Sequence, residues 1–279
     1  MFRRLPKNFD KDVMTRRMFT PTELTELSTP YPHLIRKHIR RRQLDKALAL
    51  SSEMKQSHVL LHDFFAATCT LLWSWVGEKL EEDSPEAMFR YVFAQSARRQ
   101  FFDAACAMAP PHLQVLLLAK SWRAHSCFEA GANPGNFSIQ EDPVKFTFHL
   151  TPCGSGLRLW RNGWYDAGQS GALSGQKRTW PYQRAGFPYY CIHCPFLNEI
   201  LPYESDYKTI MWPVDPPANP DDVCAWHIYK DRNDIPDAYY KRLGLQKRSV
   251  PANKYLTPGR MYFSKAQLQE MSKSGSVSV

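Results

Sequence analysis

Four cysteines and three histidines stand close together in the second half of the chain, and they set the first question of chemistry. His149-Leu-Thr-Pro-Cys153 is followed by Cys191-Ile-His193-Cys194 and then by Cys224-Ala-Trp-His227. Thiolate and imidazole are the side chains zinc prefers, and two cysteines two residues apart are a common way to supply half of a four-ligand site. Cys191 and Cys194 have that gap. On a helical turn they share a face, where a helix N-terminus stabilises thiolates. Cys153 and Cys224 complete a four-cysteine set. In another arrangement, three protein ligands leave one position open to water.

The histidines divide differently. An odd separation along a strand puts Cys224 and His227 on opposite faces, so His227 is expected outside the ligand set or as an alternative ligand, as is His193. His149 is a ligand or a general base. A four-cysteine iron–sulfur cluster is a further reading, although the usual close triplet of cysteines is missing. The plainer alternative is a set of buried thiols and hydrogen-bonded histidines without metal. Cys69, Cys106 and Cys127 sit singly in helical patterns and read as small buried residues.

Other groups suited to proton transfer or substrate binding lie in the N-terminal half. His58 and His62 share a helix face, and Asp63 adjoins His62. His62, Asp63 and His149 are the candidate catalytic groups. Arg98 or Arg99 suits a carboxylate, because guanidinium binds it in a two-pronged fashion. His125 and Glu129 form a second pair four residues apart. Trp180 and Tyr189, among many aromatic residues after position 160, suit a pocket for a small organic molecule.

The elements expected to position these groups change character along the chain. Helical periodicity runs through Gln43–Met54 and then from an N-cap at Ser57 to about Glu82. Ser84-Pro85 opens another helix towards Met108, and a fourth runs from His112 to Glu129. Turn chemistry at Asn133-Pro134-Gly135-Asn136 marks a switch. Lys145–Leu150 alternates as a strand, with Leu157–Arg161 as its expected partner. Tyr190 to Leu201 reads as a short helix, and Tyr207–Val214 and Val223–Tyr229 as strands. The predicted class is α+β: an N-terminal helical part, then a mixed α/β metal-binding part with an antiparallel sheet. The expected divisions are a basic arm at 1–42, a helical part at 43–130, an α/β part at 131–263 and a tail at 264–279.

Composition narrows the setting. The 279 residues are 43% hydrophobic, enough for a substantial core. The apolar stretch Val59–Val76 is interrupted by His62, Asp63, Thr68, Thr70 and Ser74, which argues against a membrane span. Met1–Met18 lacks the apolar core of a secretory signal. Seven cysteines, an odd count, fit a reducing compartment, so a cytoplasmic protein is expected. The net charge of +9 is concentrated early, in Arg3, Arg4, Lys7, Lys11, Arg16, Arg17 and the run RKHIRRR. No groove-reading motif accompanies it, so nucleic acid is not the expected partner. The arm is expected to pack on its own domain or on a second copy of the chain in a homo-oligomer.

The stretch from Pro188 to Asp231 resembles the end of a 4-vinyl-reductase-type domain. The matching pieces are Tyr190-Cys191-Ile-His-Cys194, Ile210-Met-Trp-Pro-Val214 and Asn219-Pro-Asp-Asp-Val-Cys224-Ala-Trp-His. Sensor members of that family hold zinc through cysteines at such positions together with a glutamate, and bind small aromatic molecules. Here Trp212 to Asp215 stands where those members have a Glu-x-x-Cys pair, and Cys153 and His193 are additions. Aminothiazoline-carboxylate hydrolase-like proteins are similar in joining a helical part to a cysteine-bearing α/β part, and they open a small heterocycle. The resemblance implies a zinc-dependent enzyme on a small organic substrate, acting by hydrolysis or ring opening of a cyclic or amide compound. The alternatives are a small-molecule sensory domain with structural zinc, or an iron or iron–sulfur lyase.

Overall fold

The computed structural model describes residues 21–80, 84–95, 109–125, 127, 135–166, 171, 173–175, 180–204 and 208–250. Arg98, Arg99, Glu129, Cys106 and the tail helix fall outside the described residues, and so does the side chain of His125, the last residue of its helix. The chain divides into two units, Met1–Leu61 and His62–Val279.

In the first unit, α1 (Pro21–Leu27) lies where the sequence predicts a short helix opening at Thr20-Pro21-Thr22-Glu23, and α2 (Tyr31–Arg40) is a helix in a stretch where little further regular structure is expected. Pro32 sits in the first turn of α2, where a missing N–H costs nothing. Lys37, His38 and Arg40 lie in its last turn, where cations complement the helix dipole. The basic run is therefore largely helical.

The unit boundary falls inside α3 (Leu44–Lys79), a continuous helix of 36 residues. Two helices were expected here, with Ser57 as a cap. No Gly or Pro separates Met54 from Ser57, so nothing breaks the backbone hydrogen bonding. Ser57 is instead mid-helix and approaches the Tyr31 hydroxyl at 3.3 Å. By length and composition α3 is apolar enough to cross a membrane despite its polar interruptions, a test that core helices of water-soluble proteins also pass. Only 28% of its most apolar window is buried. Phe64, Phe65, Leu72 and Trp75 are exposed.

The second unit continues through α4 (Ser84–Gln95) and α5 (Pro111–His125) into a four-stranded antiparallel sheet of order β1-β2-β4-β3. Its strands are β1 (Phe137–Glu141), β2 (Lys145–Leu150), β3 (Val214–Asp215) and β4 (Cys224–Tyr229). The architecture is thus a helical N-terminal part followed by an antiparallel sheet with helices. Alternation along β2 and β4 sorts their side chains. Phe148 faces Trp226 across the pair, and Leu150 faces Cys224. These four join Leu118 and Trp122 of α5, together with Trp212, in one apolar core.

Two expected strands are corrected. Leu157–Arg161 belongs to a helix, α6 (Gly156–Arg161), and the partner of β2 on that side is β1. A run such as Leu-Arg-Leu-Trp suits either state by pattern alone. The turn before it decides: the amides of Ser155, Gly156 and Leu157 bond to Cys153, satisfying donors that a helix start leaves open. Of the expected Tyr207–Val214 strand, Tyr207 lies outside the described residues and only Val214 of the rest is in a strand, Val214–Asp215, because Pro213, Pro216 and Pro217 have no N–H to give a ladder. The amides of Met211 and Trp212 bond to the Asn198 carbonyl instead.

Residues 189–204 form one helical run that passes from 3-10 turn through α to a π segment at Phe196–Ile200 and back to α. Its buried residues pack with Trp180, Phe187 and Tyr240 in a second core. After β4 comes a 3-10 turn at Arg232–Asp234 and then α7 (Asp237–Lys241).

Candidate functional site

The turn before α6, the start of the 189–204 run and the beginning of β4 meet around one cavity of about 210 Å³. Cys153, Cys191, Cys194 and Cys224 all line it. All four are free thiols; Cys224 is buried and the others partly so. Much of the rest of the lining is apolar and aromatic: Trp122, Trp212, Trp226, Leu118, Val214 and Phe187.

Gly156 is needed for this approach. A Cβ at that position would stand 2.4 Å from the Cys191 sulfur and 3.2 Å from Cδ1 of Tyr190. The absent side chain is what lets the Cys191 thiol lie against the Cys153 turn.

Burial pushes all four thiols above the ordinary cysteine range. Neighbouring sulfurs push Cys191, Cys194 and Cys224 further: Cys153 acts on Cys191, and Cys194 feels Cys191, Cys224 and Cys153. Four such groups ionise together only if a cation compensates them. At Cys153 the three backbone N–H donors oppose the effect of burial and favour a thiolate. The donor set therefore suits a thiophilic metal. Among the described residues, however, no group of three or more His, Cys, Asp or Glu side chains is arranged to hold an ion, so binding requires the sulfurs to be drawn together.

His193 lines the same cavity. Its Nδ1 donates to the Tyr190 carbonyl at 2.5 Å, and Nε2 lies 3.5 Å from the Cys194 sulfur. With the proton on Nδ1, Nε2 carries the lone pair on the thiol side, where it accepts from Cys194 or ligates. The ring also packs on Trp73 and Tyr190.

The other histidines go elsewhere. His149 is on the sheet face opposite Phe148 and Leu150, bonded to Gln140 at 3.2 Å, and does not line the cavity. His227 is buried on that same face between Thr147 (3.1 Å) and Asp215 (2.7 Å). Alternation along β4 had separated it from Cys224, and it does lie outside the cavity lining. Trp180 and Tyr189 are core residues rather than cavity walls; Tyr190, next in the chain, takes the wall position.

His62 and Asp63 reach the cavity edge through a partner that sequence reasoning missed. His62 Nε2 is 2.9 Å from the Ser155 hydroxyl, and its Nδ1 is 3.2 Å from Asp63 Oδ1. Ser155 lines the cavity. Burial alone raises Asp63, but hydrogen bonds from His62 and Arg158 outweigh it and hold the carboxyl below its usual range. Arg158 is buried and grips Asp63 through Nε and Nη2 at 3.1–3.2 Å.

A second buried polar group adjoins the thiols. Glu199, fully buried in the π segment, accepts from the Val214 amide at 3.0 Å and pairs with Arg242 at 2.5 Å. Burial raises its carboxyl to about 7 despite the opposing pull of Arg242. Arg242 is also held between the Tyr182 and Tyr239 rings, at 4.4 and 4.5 Å.

Comparison with family models, curated proteins and solved structures gives no match for this chain.

Proposed function

We propose that this chain is a metal-dependent, most simply zinc-dependent, protein that takes a small and largely apolar organic molecule into the four-thiol cavity and hydrolyses it or opens its ring. The observation that carries the reading is the gathering of Cys153, Cys191, Cys194 and Cys224. They come from three separate segments, remain unpaired by disulfide, and face one aromatic cavity. A zinc ion held by three of these thiolates, with its fourth position open, would supply Lewis-acid polarisation of a carbonyl or amidine carbon. His193 Nε2 is placed to take the proton that Cys194 must lose before ligating. Trp212, Trp226 and Trp122 line the cavity and would keep water from an aromatic or other apolar substrate. A cytoplasmic setting belongs to the same proposal, since thiols persist there. The resemblance to 4-vinyl-reductase-type and aminothiazoline-carboxylate hydrolase-like proteins points the same way, through Cys191, Cys194 and Cys224.

The test is metal content of protein purified without chelators, by elemental analysis, for the native chain and for Cys191→Ser and Cys194→Ser. About one zinc per chain, lost in both variants while circular dichroism is kept, is the expected result. Full occupancy in both variants, or no zinc or iron in the native chain, overturns the proposal.

The same four thiols also favour a second reading, a sensory-type domain with structural zinc. Zinc with four protein ligands and no exchangeable position selects that reading over catalysis.

A further inference from the structure

Ser155, His62 and Asp63 stand in a line that the metal reading does not use. Ser155 Oγ lies 2.9 Å from His62 Nε2, and His62 Nδ1 lies 3.2 Å from Asp63 Oδ1. Arg158, a buried residue of α6, fixes the carboxylate with three contacts of 3.1–3.2 Å. An ionised Asp63 orients the ring with its proton on Nδ1, which leaves Nε2 as the acceptor for the Ser155 hydroxyl proton. That is the arrangement an activated serine requires: a base within hydrogen-bond reach of the nucleophile, and a third group holding the base. Ser155 also faces the cavity, with the Tyr190 hydroxyl in hydrogen-bonding range. A bound acyl carbon would meet Ser155 at the wall that carries Cys153, Cys191 and Tyr190.

We propose that Ser155 is a nucleophile, with His62 as its general base and Asp63 as the residue that positions His62, and that the cavity transfers acyl groups from small apolar esters or lactams. The inference rests on the cavity being the functional site and not on the presence of metal. Ser155 Oγ attacks the acyl carbon while its proton passes to His62 Nε2. The bond from that carbon to the leaving oxygen or nitrogen breaks, and the leaving group takes the proton from His62. Water then attacks the acyl-serine with His62 as base, releasing the acid and restoring the Ser155 hydroxyl. No oxidant or reductant is needed.

The experiment treats the full chain with diisopropyl fluorophosphate and, separately, with p-nitrophenyl acetate, and maps the modified peptide by mass spectrometry. Expected is one adduct on Ser155, absent in Ser155→Ala. His62→Ala should slow labelling about 100-fold, the lower end of what a general base contributes. Asp63→Asn should slow it as well, and Asp63→Glu should restore part of that loss, which a merely structural aspartate would not do. Metal content is measured on the same samples. Folded native protein that Ser155-directed mapping shows unmodified by both reagents overturns the inference, as does labelling that His62→Ala leaves unchanged. Labelling at Ser155 in metal-free protein supports this inference while refuting the metal proposal, so the two fail separately.

Discussion

Replacing Gly156 with alanine puts one methyl group where the structure has no room. The new carbon would lie 2.4 Å from the Cys191 sulfur, well inside the ~3.5–4 Å at which non-bonded heavy atoms attract. The neighbour on the other side is the Tyr190 ring, at 3.2 Å, so sideways movement meets a second wall. Relief must come from rotating the Cys191 thiol out of the cavity or from separating α6 and the 189–204 run. Overpacking of this kind costs about 1–3 kcal/mol. For a unit of this size each kcal/mol lowers Tm by about 2–4 °C. The assay is a double-mutant cycle by urea unfolding, comparing Gly156→Ala, Cys191→Ala and both together. Removing the sulfur removes the clash, so the double variant should lose less than the sum of the single losses, with a coupling of about 1 kcal/mol or more. Metal content should fall in Gly156→Ala, because the thiol is displaced. A single-variant cost below about 0.5 kcal/mol, or strictly additive losses, would refute the close packing of Gly156 on Cys191.

Two further outcomes follow from the buried polar groups. Glu199 is raised to about 7 in the folded chain from an ordinary 4.5, so the folded state holds a proton more tightly than the unfolded state. Stability is then highest at and below about pH 4.5 as far as this group is concerned, and it falls as pH rises to about 7, by roughly 3 kcal/mol at most; Glu199→Gln should flatten that slope in urea midpoints taken from pH 5 to pH 8, and an unchanged slope rejects the assignment. Gln114 accepts from the Trp212 indole at 2.9 Å and donates to the Ala109 carbonyl at 2.7 Å, all buried; Gln114→Ala should destabilise by about 1–3 kcal/mol, measured by chemical denaturation, and a loss under about 0.5 kcal/mol would show that water or a shifted side chain replaces it.

The positions of the four cysteines could be read as a group from residue type, because few residues other than thiols and imidazoles are worth clustering for chemistry in a chain of this composition. Alternation along β4 also separated Cys224 from His227 correctly, since a strand leaves no freedom in that respect. The helix at 156–161 was not legible. Its apolar residues fit either state, and the deciding contact is a set of backbone amides on the Cys153 sulfur, which no periodicity encodes. Pairing of β1 with β2 was missed because Phe-Ser-Ile-Gln-Glu is mostly exposed and carries only a weak alternating signal. His62 and Asp63 stood out by type, but their partner Ser155 is 93 positions away in sequence, and a lone serine in a Gly-Ser-Gly turn reads as turn chemistry. Asp215 and Glu199 were missed for a related reason: each acquires its role from Arg242 or His227, contacts that exist only once the sheet and the 189–204 run are assembled.

X-ray absorption at the metal edge of the purified chain reads the coordination shell of the four-thiol site itself. The expected result is bound zinc with sulfur neighbours at about 2.3 Å, three of them beside one exchangeable lighter ligand for the enzyme and four for the structural-zinc reading, and one sulfur fewer, or loss of the metal, in a serine variant of each ligating cysteine. A shell dominated by nitrogen and oxygen, or a native chain that binds no zinc or iron, would contradict it.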